Sequence, residues 1–188
     1  MLPLYGKNRF CESLDIKFIY LYDFGMSDEM LLLVDEEGNP VGQAPRGQCH
    51  NDTSLIQLVV HLEVFNSKGE IFLQRRSPTK DMYPDKWDTA VGGHVRPGED
   101  PFEALVREAR EEIGIDASKA KYFTKFLHRM PKETEVSFLY TLVYDGDFAI
   151  DHDEVVDGRF FSKEEIREKL GTGFFTRNFE REFEVFNK

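Results

Sequence analysis

Hydrophobic and polar positions fall into blocks of two periods, strand-like and helical. The apolar run Met30 to Val34 meets Asp35-Glu36-Glu37-Gly38-Asn39-Pro40, a turn-forming stretch, and predicts a hairpin. Leu55 to Phe65 and Ile71 to Leu73 flank Asn66-Ser67-Lys68-Gly69 and predict a second hairpin. From Pro101 the period becomes helical: Phe102, Val106, Ala109 and Ile113 fall on one apolar stripe. Asp100 is placed to cap that helix, with Pro101 in its first position, Glu103 in the capping-box position and Gly114 as a left-handed stop. Val136 to Tyr144 reads as a strand, Asp145-Gly146-Asp147 as a turn and Arg159 to Phe161 as a short strand. Ser162 and Glu165 form a capping box for a helix ending near Gly171, and a last short helix covers Asn178 to Phe186.

Strands mixed with two or three helices predict an α/β domain, a sheet between helical layers. That domain is expected over residues 29–188, after an aromatic-rich extension, residues 1–28, carrying Tyr5, Phe10, Phe18, Tyr20, Tyr22 and Phe24. The extension matches no motif; an extra strand or an arm packed on the domain or on a dimer mate is the expectation, the last of these implying a homodimer. A length of 188 residues fits one domain with such an extension, and 17 phenylalanines supply a core. A net charge of −11 argues against nucleic acid as a partner, because polyanions select basic patches; a small phosphorylated ligand needs only a local cluster of cations. Cys11 and Cys49 have neither metal-ligand nor redox spacing, so a reduced, cytoplasmic setting is expected. No secretory signal and no membrane-crossing stretch is legible.

The chemistry concentrates between Gly93 and Ile115. Gly93, Glu99, Arg107, Glu108, Glu111, Glu112 and Gly114 stand in the spacing G-x5-E-x7-R-E-x2-E-E-x-G. Glu108, Glu111 and Glu112 share a helix face, at i, i+3 and i+4, and Glu99 lies in the loop feeding the helix. Converging carboxylates repel one another unless a positive charge sits between them. Mg²⁺, or Mn²⁺, suits an oxygen-only set and brings substrate phosphates into its shell, which points to metal-assisted attack on a phosphoanhydride. The competing reading is a solvated acidic face with Arg107 and Arg110 as ordinary pairing partners.

The whole stretch resembles the Nudix box, the signature of the Nudix hydrolase superfamily, and the resemblance implies the Nudix fold with its loop–helix–loop motif. It implies Glu108, Glu111 and Glu112 as metal ligands, with Gly93, Glu99, Arg107 and Gly114 holding the motif together. Ala109 departs mildly, since the family prefers a bulky aliphatic there.

From about Met30 to about Phe175 the chain is also similar to type 1 isopentenyl-diphosphate isomerase and its relatives among Nudix hydrolases. Arg46 and His50 match a lysine and a metal histidine of that enzyme. Gln74-Arg75-Arg76 through Lys80, with Trp87, match its basic loop and tryptophan; His94 matches a metal histidine, and Glu133 and Glu135 its acidic pair. Asp153-Glu154-Val155 also has a counterpart. Two departures matter: the isomerase's catalytic cysteine falls at Gly92 and another metal histidine at Gln57. A second metal site at His50, His94, Glu133 and Glu135 is left open.

Arg76 and Lys80, joined by Arg46, read as a diphosphate clamp or as an ordinary charged loop. His94 reads as a metal ligand, a substrate-orienting group or a loop cap. Trp87 reads as a core anchor before a substrate platform. Glu154 and Glu135 compete as catalytic base, each with a surface glutamate as the alternative. The expected activity is hydrolysis of a small diphosphate substrate; the rivals are an isomerase with rerouted proton chemistry and a sensor that binds without turnover.

Overall fold

The computed structural model describes residues 28–80, 82–152 and 155–186; the 1–28 extension, apart from its last residue, and Glu154 lie outside them. Strand β3 (Ile56–Phe65) is the axis of the sheet. On one side β8 (Thr134–Val143) runs parallel to it from Ile56↔Thr134 to Phe65↔Val143, with β7 (Lys121–Arg129) antiparallel on β8. The other side of β3 is shared by three strands. Leu33 of β1 (Met30–Val34) faces Gln57, β6 (Val91–His94) takes Val59 to Leu62, and β4 (Ile71–Arg76) takes Val64 and Phe65. Beyond that contact β4 turns away to pair with β5 (Trp87–Asp88), while β9 (Val155–Phe161) lines its other edge from Ile71 to Arg76. The sheet therefore forks into a mixed leaf and an antiparallel leaf.

The first expected hairpin is present as β1 with β2 (Pro40–Pro45). The second is a hairpin only at its base, Val64↔Phe72 and Phe65↔Ile71, because β6 occupies the rest of that edge of β3. Strand β7 has no counterpart in the sequence reading; it is an edge strand with Lys121, Tyr122, Phe123 and Lys125 exposed, so its pattern is blurred. The single turn α1 (Arg46–Cys49) was likewise not foreseen.

Helix α2 (Pro101–Ile113) begins where Asp100 Oδ1 accepts the Phe102 and Glu103 N–H groups, and ends at Gly114 with φ 68°. Its buried face is centred on Ala104, Leu105, Ala109 and Ile113; Phe102 and Val106 flank it half-buried. The stripe is thus turned slightly from the expected one, since two alanines let the helix approach Leu58, Val60 and Leu62 closely. Helix α3 (Lys163–Lys169) is capped by Ser162 Oγ, which accepts the Glu165 N–H, and α4 (Arg177–Phe186) follows. The aromatic cluster of Trp87, Phe161, Phe175, Phe179 and Phe183 seats α4 against the sheet. Trp87 is 8% exposed there, a core anchor as expected first.

The two faces of β3 differ in kind. Leu58, Val60, Leu62 and Val64 enter the apolar layer under α2. Gln57, His61 and Glu63 point the other way and are buried as well. A strand that buries polar groups on one face must supply partners for them, and α4 brings Glu182 to His61. Among the described residues no helix is long and apolar enough to cross a membrane.

Candidate functional site

At the fork, α2, β6, β4 and α4 enclose a cleft of about 420 Å³. Glu108, Glu111, Glu112, Glu135, His94, Arg46, Arg76, Lys80, Gly93 and Arg107 all line it. Ten positions scattered from 46 to 135 in sequence thus meet on one surface. Glu99 and Gly114 are not in the lining: Glu99 bonds Arg107 and Gly114 ends the helix; Glu154 lies outside the described residues.

Arg107 organises the acidic wall. Its Nε and Nη2 donate to the two Glu99 oxygens at 2.8 and 3.0 Å, and Nη1 donates to Glu108 at 2.6 Å and to Glu111 at 3.2 Å. Nη2 also reaches the His94 carbonyl at 3.2 Å, tying α2 to β6. Burial pulls the Glu99 carboxyl upward, yet the Arg107 hydrogen bonds and the Arg96 N–H hold it below the usual range. Glu112 is 6% exposed, and its Oε2 accepts from Gln74 Nε2 at 2.9 Å and from the Gly92 N–H at 3.3 Å, so it bridges the two leaves.

Gly93 is required by this packing, because a Cβ there would overlap the Glu108 side chain. Gly93→Ala is expected to displace Glu108 and lower stability by about 1–3 kcal/mol. Gly92→Ala is the contrast: its Cβ would meet only the His61 ring, at 3.5 Å, an ordinary contact. Parallel thermal unfolding curves check the pair; equal melting temperatures would mean that Glu108 yields freely.

The basic side of the cleft is less free than its sequence suggests. Arg76 spends Nε and Nη2 on the Met82 carbonyl, at 3.2 and 3.1 Å, and Nη1 on Asp88 at 3.2 Å. Its fork braces the loop over the cleft more than it offers itself to a phosphate. Arg46 pairs with Glu29 at 3.0 Å and lies 3.4 Å from His94 Nδ1. Burial, then the Arg46 charge, holds the His94 imidazole well below its ordinary pKa and hence neutral.

On the opposite wall His50 Nε2 lies 3.4 Å from Glu133, to which Gln57 Nε2 donates at 3.2 Å. The His50 and His94 rings are 5.5 Å apart. Glu135 accepts from Asn178 Nδ2 at 2.7 Å, and burial pushes its carboxyl up to about 7, with His61 opposing and Glu133 and Glu182 adding to the rise. Asn178 and His61 are cleft residues that the sequence reading missed. Asn178 left no local signal, since its partner is 43 residues away. His61 did leave one: Gln57, His61 and Glu63 recur at even spacing inside an apolar strand.

A family model described as the NUDIX domain matches residues 56–183. The chain is 32% identical over 136 residues to an uncharacterised Nudix hydrolase of Pseudomonas aeruginosa, covering 72% of this chain and 80% of that protein. It is 38% identical over 91 residues to an isopentenyl-diphosphate Δ-isomerase of Paenarthrobacter aurescens, covering 48% of this chain and only 50% of that protein. The crystal structure of a Deinococcus radiodurans protein, DR0079, superposes with a TM-score of 0.71 at 25% identity, covering 84% of this chain and 98% of that one.

Proposed function

Because the chain belongs to the Nudix family, we propose that it hydrolyses a diphosphate linkage in a small organic diphosphate, such as a nucleoside diphosphate joined to a second group. The observation that carries this reading is the meeting of Glu108, Glu111 and Glu112 with Arg46 and Lys80 across one cleft.

The α2 donor set is carboxylate oxygen throughout, and Arg107 takes only part of the charge of Glu108 and Glu111. Such a set fits a hard cation of the Mg²⁺ or Mn²⁺ class. Glu108, Glu111 and Glu112 would hold it, with neutral His94 a further donor on the adjacent wall. When bound, the cation neutralises phosphoryl charge and acidifies a coordinated water. The chain supplies the rest. Lys80 and Arg46 bind phosphate oxygens and orient the phosphorus. Gln74 and the Gly92 N–H hold the Glu112 carboxylate in one orientation. Glu135, oriented by Asn178, takes the proton of the attacking water. Glu154 is the competing base.

A base with a pKa of about 7 is ionised, and so active, only above neutrality. Turnover should therefore rise as pH climbs through about 7, and Glu135→Gln should flatten that limb. A limb that survives unchanged in Glu135→Gln moves the base to Glu154.

The isomerase reading is favoured by one observation, the gathering of His50, His94, Glu133 and Glu135 in the same cleft. Against it, Gly92 offers no proton donor. The test is ³¹P NMR of the protein with Mg²⁺ and a panel of isopentenyl and dimethylallyl diphosphates, ADP-ribose, NADH, dinucleoside polyphosphates and nucleoside triphosphates. New phosphate or monophosphate signals are expected. Unchanged phosphorus with altered vinyl protons would make it an isomerase; saturable binding without either change would make it a sensor.

A further inference from the structure

A second cluster, which the proposed hydrolysis does not use, adjoins the cleft through His61. His61 of β3, His128 of β7 and Glu182 of α4 come together there, and each is buried. His61 Nδ1 lies 2.7 Å from Glu182 Oε1, and His128 Nε2 lies 3.2 Å from the same oxygen. Ser137 Oγ of β8 completes the group, 3.2 Å from His128 Nε2 and 3.4 Å from Glu182 Oε1. We propose that His61, His128 and Glu182 form a binding site for a transition-metal ion of the Zn²⁺ class, with the Ser137 hydroxyl beside the fourth position.

Three observations support it. The three ligand atoms lie within 4.8 Å of one another, while a tetrahedral ion with bonds of about 2.0–2.2 Å needs its ligands roughly 3.4 Å apart. Small side-chain shifts suffice. Next, the hydrogen bonding is lopsided. Glu182 Oε1 faces both imidazoles and the Ser137 hydroxyl, while Glu182 Oε2, also buried, has no hydrogen-bond partner among the described residues. A buried carboxylate oxygen without a partner is costly, and a divalent cation beside Glu182 would supply one. Finally, the donor types are selective. Two imidazoles and one carboxylate suit Zn²⁺ and its neighbours, whereas the box offers oxygen alone. This site is separate from the His50, His94, Glu133 and Glu135 group, shares no residue with it, and does not depend on the hydrolase reading.

An ion here would cross-link β3, β7 and α4, the helix whose Asn178 holds Glu135. The test uses the full chain, stripped with a chelator that is then removed, and titrated with Co²⁺ as a spectroscopic probe. The expected result is the intense visible absorption of tetrahedral Co²⁺, saturating at about one ion per chain, displaced by Zn²⁺ and not by Mg²⁺. His128→Asn should abolish the band, while His94→Asn and Glu112→Gln keep it. X-ray absorption of the Co²⁺-loaded His94→Asn protein, which leaves this cluster intact, should count two imidazoles and holds even if His128→Asn fails to fold. No band in the wild-type chain, or a band lost in His94→Asn, or an oxygen-only shell, would overturn the assignment and leave the cluster a hydrogen-bonded His–Glu–His network.

Discussion

Glu112→Gln should lower turnover by about a hundredfold or more at saturating Mg²⁺ while leaving the melting temperature nearly unchanged. The substitution keeps the shape and removes one charge from a side chain that is 6% exposed and fixed from both leaves of the sheet. Its amide can still accept from Gln74 or Gly92, so the packing at the fork survives. What it cannot supply is the anionic oxygen that a hard cation requires. Glu111 is a useful comparison, because its side chain is half exposed and paired only with Arg107 among the hydrogen bonds at this wall. Glu111→Gln should cost less. The release of phosphate, followed by ³¹P NMR across a Mg²⁺ series, reads both variants. Full turnover in Glu112→Gln would remove the box glutamates from the mechanism and with them the basis of the proposed hydrolysis.

The largest effect on stability is expected from Glu182→Gln. Glu182 is wholly buried and faces two histidines. Burial, the largest influence, raises its carboxyl, but His61 and His128 outweigh it and hold it below the ordinary 4.5. Burial likewise lowers His61, and the Glu182 charge and hydrogen bond more than reverse it, so His61 stays above its ordinary 6.5. Removing the charge from one member of a buried pair costs about 3 kcal/mol, or a melting temperature lower by roughly 6–12 °C. The sign of the pH dependence follows from the two directions. The depressed Glu182 contributes above 4.5 and loses its contribution as pH falls; the raised His61 contributes fully below 6.5 and loses its contribution as pH rises. The gap between wild type and variant should therefore be widest between about 4.5 and 6.5 and narrow on either side. Chelator-treated protein is the right material, so that the ion pair alone is read. A gap independent of pH would show that the pair is not ionised.

The box and its helix were legible because their signals are local. Asp100, Pro101 and Gly114 act within a turn of themselves, and Glu99 and Gly93 stand inside the same continuous motif as the side chains they serve, Arg107 and Glu108. The α/β class followed from periodicity for the same reason. What escaped depends on distance in sequence. The fork arises because β6 competes with β4 for the edge of β3, which no window of the chain records. Strand β7 went unread because only its last residues are buried. Arg76 read as part of a diphosphate clamp or of an ordinary charged loop, and no local signal told that its guanidinium bonds Met82 and Asp88. The Glu182 cluster joins residues up to 121 positions apart, so each member looked like a lone polar residue.

The paired glycines of β6 set how readily this chain could change its chemistry. The position at 93 is closed to any side chain by Glu108, whereas the position at 92 leaves ordinary contact room for a Cβ beside His61. In the isomerases that this sequence resembles, a catalytic cysteine stands where Gly92 is. The backbone here already accommodates its Cβ. A thiol could thus be placed here by a single substitution without rebuilding the sheet, and what would then still separate this chain from those isomerases is a side chain at Gln57 rather than the fold.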